Sequence, residues 1–200
     1  LVDSPKRQRI LEGMLDVVGE RGYEAASVRM VLDSTGLYRQ AFYDNFVDKD
    51  ACYLEALDLG IAQMEAVAKA GAGSEDSWRG KLRAGLSALL TALETDPGLG
   101  RALVVEVHAA GPEALQRRSE AMNRVTDFID SARHESRGAE SPPPIAAEGI
   151  VAGMHAVVHA KLAAGEESGF AQLLPDFMYF AALPYFGAEI ADEEMRGARA

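Results

Sequence analysis

Arg39, Gln40 and Tyr43 sit in the stretch Leu37 to Phe46, LYRQAFYDNF, where polar and apolar residues alternate at helical spacing. Arginine commonly pairs with guanine and glutamine with adenine, so both are suited to reading base edges from the exposed start of a helix. Tyr43, Lys49, Ser27 and Arg29 carry the hydroxyls and charges that hold phosphates and orient a reading head. His155 and His159 stand four apart, a spacing that binds metal on a helical face, and Glu106 and His108 are conceivable additions. Two ligands do not close a zinc site, so no metal is expected. Cys52 is the single cysteine, and on an apolar helical face such a residue is ordinarily small core filler rather than a thiol sensor. The chain holds no Gly-rich phosphate loop, nucleophile elbow, CxxC or HExxH. With no nucleophile–base pair to name, neither an enzyme nor a cofactor is expected.

Two short apolar patterns would position the candidate readers. Val28, Val31 and Leu32 recur at helical spacing, as do Leu37, Ala41, Phe42 and Phe46. Ser27 can cap the first helix, and Gly36 gives the turn Ser34-Thr35-Gly36 the freedom a sharp reversal needs. Two short helices joined by such a turn form a helix-turn-helix, although a plain helical hairpin has the same spacing. The second helix is expected from about Tyr38 to Asn45, with Arg39, Gln40 and Tyr43 outward and Phe42 and Phe46 inward.

Ile10-Leu11, Gly22-Tyr23, Ser27, Gly36-Leu37 and Phe42-Tyr43-x-x-Phe46-x-x-Lys49 resemble the N-terminal signature of the TetR family of transcriptional regulators. The resemblance covers about the first quarter of the chain. Tyr38 stands where that family usually has a small hydroxyl cap, Met30-Val31 replaces Ile-Ala, and Asn45 replaces a common His. An uncapped second helix loses about 1 kcal/mol. The resemblance implies a ligand-responsive regulator, most often a repressor, whose homodimer reads a near-palindromic operator. It places Tyr38 with the DNA-binding residues, and it implies dimerisation through two C-terminal helices of each subunit. A helical protein-interaction module that does not bind DNA is the alternative.

Composition sets further bounds. The chain of 200 residues is 48% hydrophobic and 26% charged, which is ordinary for a globular protein. One cysteine excludes an internal disulfide and fits a reducing cytoplasm. No apolar run is expected to reach membrane-spanning length, and no signal segment opens the chain. The chain begins at Leu1, so a few preceding residues, often basic in the resembling family, are expected to be missing. The net charge of −11 opposes DNA binding, but residues 1–50 hold seven Lys/Arg against nine Asp/Glu, and the rest thirteen against twenty-two. Acidity therefore lies mostly outside the proposed head, where Lys6, Arg7, Arg9, Arg39 and Lys49 could gather on one face.

The whole chain reads as all-α, with about nine helices. Residues 1–47 form an expected DNA-binding domain and 48–200 a helical body for ligand binding and dimerisation. Ser4-Pro5 opens the first helix, which Gly22 ends, and Asp48 caps a fourth that fades near position 73. Further helices are expected over Glu75–Thr95, Leu99 to about Ala110, Glu113 to about Ser136, Ile145–Ala164 and Phe170 to about Gly187. Gly138 to Pro144, GAESPPP, reads as an extended mobile linker. Met64, Trp78, His108, Met122, Phe128, Met154, His155 and Tyr179 are candidates to line an effector cavity. Val151, Met154, Val158, Phe177, Phe180 and Tyr185 are candidates for the dimer interface, because a helix apolar nearly all round must be covered on more than one side.

Overall fold

Helix α1, Pro5–Arg21, starts on a proline whose missing N–H costs nothing in a first turn. The computed structural model describes residues 5–136 and 142–198, so the cap proposed for Ser4 lies outside the described residues. Ile10, Met14 and Val18 form the fully buried stripe of α1. The other helices are α2 Val28–Thr35, α3 Arg39–Tyr43, α4 Lys49–Ala72, α5 Trp78–Thr95, α6 Pro97–Val104, α7 Pro112–Asp130, α8 Ile145–Ala163, α9 Leu174–Phe186 and α10 Ala188–Gly197. Among the described residues there is no strand, so the expected all-α class holds, with ten helices rather than about nine. The added one, α10, follows Gly187, whose φ of 82° ends α9. Two expected helices stop early and finish as 3₁₀ turns: α6 before Glu106–His108, and α7 before Ser131–His134.

The chain forms two compact units. The first comprises residues up to Gln63 with Asp96–Ser119, and the second Met64–Thr95 with Glu120 onward. The first unit thus extends well past the expected head boundary at residue 47. Within it α6 packs on α1 so closely that a Cβ built on Gly19 would lie 2.6 Å from the Gly98 carbonyl carbon. Asp96 accepts a hydrogen bond from the Leu99 N–H at 2.8 Å and so caps α6. Two longer-range bonds complete the join. The Tyr53 hydroxyl donates to the Ala102 carbonyl at 2.7 Å, and the Tyr23 N–H donates to Glu106 Oε2 at 2.8 Å. Each satisfies a buried polar group that would otherwise be costly.

The second unit is centred on Trp78. Its indole N–H donates to the Phe128 carbonyl at 2.9 Å, and its ring lies 6.1 Å from both Phe128 and Tyr185. Arg79 and Arg83 of α5 both pair with Glu194 of α10, a carboxylate only 4% exposed. Residues 138–141 of the expected linker lie outside the described residues. The Pro142 and Pro143 carbonyls at its end are held by the Arg133 guanidinium at 2.6 and 3.3 Å, so this end is anchored rather than mobile.

Helix α8 corrects the expectation that no run reaches membrane-spanning length. Its nineteen residues include an eighteen-residue window of mean hydropathy 1.2, only 28% of it buried. Ile150, Val151, Val157 and Val158 carry that average, while Glu148, His155, His159 and Lys161 interrupt it, which is why no long uncharged run stands out.

Candidate nucleic-acid interface

The helix-turn-helix forms as its local chemistry requires. Ser27 is the N-cap of α2, its hydroxyl accepting from the Met30 N–H at 3.4 Å. Gly36 closes α2 with φ 65°, and its N–H donates to the Leu32 carbonyl, a conformation that favours glycine. Thr35 is buried with its hydroxyl on the Val31 carbonyl at 2.7 Å, which leaves no unpaired polar atom under the turn. Helix α3 then spans five residues, shorter than the expected Tyr38 to Asn45. Tyr38 is its N-cap and makes no side-chain cap bond, in keeping with the missing hydroxyl cap.

Burial sorts α3 into two faces. Phe42 is fully buried and Phe46 nearly so, their rings 5.6 Å apart. Tyr38 is 86% exposed, and Arg39, Gln40 and Tyr43 are exposed beside it. These four therefore form one solvent-facing surface. The Arg39 guanidinium carbon lies 5.3 Å from the Tyr43 ring centroid, within cation–π range. Gln40 Nε2 donates to Asp44 Oδ1 at 2.6 Å. Arg29 is exposed on α2, 3.7 Å from Asp33, a solvated pair of little energetic weight.

Several basic residues expected on that surface instead hold the unit together. Arg7 pairs with Glu55 and lies 5.1 Å over the Phe46 ring. Arg9 donates to the Thr35 carbonyl. Lys49 is half-buried, donates to the Tyr23 carbonyl at 2.9 Å and lies 4.1 Å over the Tyr23 ring. Arg7, Arg9 and Lys49 thus have partners within the same unit, while Arg39 has the Tyr43 ring beside it. An ammonium has three protons, so Lys49 retains donors beyond the one Tyr23 uses. Asp44 and the 80% exposed Val47 were not among the expected site residues. Val47 falls outside the apolar register of Phe42 and Phe46, a signal the sequence already contained.

Of the proposed effector residues, His108 belongs to the first unit and the others to the second. Trp78 is buried and stacks on the half-buried Phe128, and Met154 is also buried. Met64, Met122, His155 and Tyr179 are half-buried in the second unit, whereas His108 is exposed in the first. A groove of about 290 Å³ in the second unit is lined by Glu75, Arg83, Ser87 and Leu174, among others, and by none of the expected set. Among the described residues no group of three or more His, Cys, Asp or Glu is placed to hold a metal; the His155 and His159 ring centroids are 6.3 Å apart. Cys52 is fully buried, and burial pushes its thiol up to about 12, as befits filler.

Residues 10–56 match the model of bacterial regulatory proteins of the tetR family. The chain is 32% identical over 141 residues to the HTH-type transcriptional repressor Rv1474c of Mycobacterium tuberculosis, covering 63% of this chain and 72% of that protein. It is 40% identical over 70 residues to the transcriptional repressor AcnR of Corynebacterium efficiens, 35% of each chain. The fold is similar to that of the fatty acid degradation regulator FadR from Bacillus halodurans, with a TM-score of 0.79 at 14% identity over 92% of this chain and 97% of that one. FadR from Bacillus subtilis, solved in complex with stearoyl-CoA, has a TM-score of 0.76 at 15% identity, covering 88% and 98%. The curated relatives are HTH-type transcriptional repressors. The helix-turn-helix in residues 10–56, the extended identity to a mycobacterial repressor and the shared all-helical fold together mean that this chain belongs to the TetR family of bacterial transcriptional regulators.

Proposed function

We propose that the protein is a repressor that binds a near-palindromic operator as a homodimer and is released by a small hydrophobic or aromatic effector. One observation carries this reading: the surface of α3, on which Tyr38, Arg39, Gln40 and Tyr43 all face solvent. Arg39 and Gln40 read base edges at about 1–3 kcal/mol per good bidentate contact. Tyr38 packs beside them, and Ser27, Arg29, Tyr43 and Lys49 hold phosphates. Dimerisation is through α8 and α9. Val151, Met154, Phe177 and Tyr185 are already buried within the chain, whereas Phe180 of the expected set is exposed and Val158 half-buried, so these two stay as contacts and the exposed Ile145 and Val157 join them. Glu148 and Lys161 interrupt the apolar surface of α8, which suits a second protein surface better than lipid.

Helices α4 and α7 each contribute residues to both compact units, which gives an effector in the second unit a route to the head. The apolar supply of α8 and α9 supports an effector of low polarity, and the stearoyl-CoA complex of the similarly folded FadR is in keeping with it. An effector that prefers the non-binding state about a hundredfold supplies about 2.7 kcal/mol of coupling. Selection of bound duplexes from a random pool tests the reading. One enriched palindrome is expected, and Arg39→Ala should relax a single position in each half. A pool that stays random, or a chain that sediments as a monomer at micromolar concentration, would refute it.

A further inference from the structure

The bond between Gln40 and Asp44 restricts how α3 can read a base. Nε2 of Gln40 donates to Asp44 Oδ1 at 2.6 Å, with both side chains exposed. An ionised carboxylate only accepts, so the nitrogen end of the amide must be the end that faces Asp44. The amide nitrogen has two protons, and this bond uses one. The other proton and the carbonyl oxygen remain for an outside partner. In the major groove adenine offers an acceptor, N7, beside a donor, the N6 amino group, which is the complement of that pair. Left alone, the terminal torsion of glutamine is broad and roughly two-fold, and the side chain could present either end. Asp44 follows the last residue of α3 with helical dihedrals, and its N–H donates to the Gln40 carbonyl, so the main chain holds the two residues in register.

Resting on the operator-reading role argued above, we propose that Asp44 is a positioning residue that sets the amide of Gln40 to select adenine and does not itself touch DNA. A carboxylate this close to a reading surface opposes phosphate binding. Asp44 therefore lowers affinity for every duplex while sharpening the choice at one base pair.

Duplex selection with the full chain, Asp44→Ala, Gln40→Ala and the double variant tests this directly. Asp44→Ala should bind all duplexes more tightly, while adenine preference at one position falls about fivefold and the other positions keep theirs. In the Gln40→Ala background the same change should leave every base preference as it was. Asp44→Leu, close to Asp in shape and unable to accept the Nε2–H bond, repeats the test should the alanine variant lose its helical circular dichroism. Adenine preference that survives both Asp44 variants overturns the proposal. So does a cytosine preference lost on removing Asp44 from the Gln40→Ala background, because Asp44 would then be reading a base. If the unaltered chain enriches no duplex, the operator-reading role fails and this inference with it. That outcome is distinct from an enriched site that ignores Asp44.

Discussion

Gly19→Ala separates two influences that predict opposite signs. Gly19 lies inside α1, and in an open helix interior alanine is favoured over glycine by about 1 kcal/mol. In the folded unit, however, a Cβ there would lie 2.6 Å from the carbonyl carbon and 2.9 Å from the Cα of Gly98. Both neighbours are backbone, so no side chain can rotate away, and α1 and α6 must move apart. Overpacking of this kind costs typically 1–3 kcal/mol, and the rigid partner places this site at the upper end, about 3 kcal/mol. Subtracting the propensity gain leaves roughly 2 kcal/mol of destabilisation. For a chain of this size that lowers Tm by about 4–8 °C, readable by circular dichroism on heating. Because α6 braces α1 in the unit that contains α2 and α3, operator affinity should fall as well. A Tm equal to or above that of the unaltered protein would refute the close packing of α6 on α1.

Glu194→Ala should destabilise the second unit by about 2–3 kcal/mol in urea unfolding, since it leaves Arg79 and Arg83 without their shared carboxylate. The value is held below that of a fully buried pair because both arginines are more than a third exposed. Cys52, its thiol pushed up to about 12 by burial, should resist Ellman's reagent at pH 8 in the native protein and react at once in denaturant; rapid native labelling would contradict that burial. Tyr185 is raised to about 12, first by burial and then by its bond to Asp130. The folded state thus keeps a proton that the unfolded chain has lost above pH 10, so stability should be full below pH 10 and fall as pH rises toward 12. Thermal melts across that window check the sign, and Tyr185→Phe should flatten the slope.

Sequence alone determined nine of the ten helices among the described residues and the layout of the reading head. Ser27 as cap, Gly36 as left-handed terminator and the inward pair Phe42 and Phe46 all follow from interactions within a few residues, where side-chain chemistry and helical periodicity decide the outcome. The same local logic identified Tyr38 as a poor cap and placed Arg39, Gln40 and Tyr43 on the exposed face. Tertiary structure decided what becomes of groups whose partners are distant along the chain. Glu106 receives the Tyr23 N–H across 83 positions, and Glu194 receives Arg79 across 115; no periodicity announces either pairing. For the same reason Arg7 and Arg9, which by type alone could hold phosphates, turn to Glu55 and the Thr35 carbonyl. Trp78 and Phe128, equally suited to line a cavity, stack on each other instead, with the Trp78 indole N–H donating to the Phe128 carbonyl. A residue's type states which bonds it can make; the folded chain determines which partner is close enough to make them.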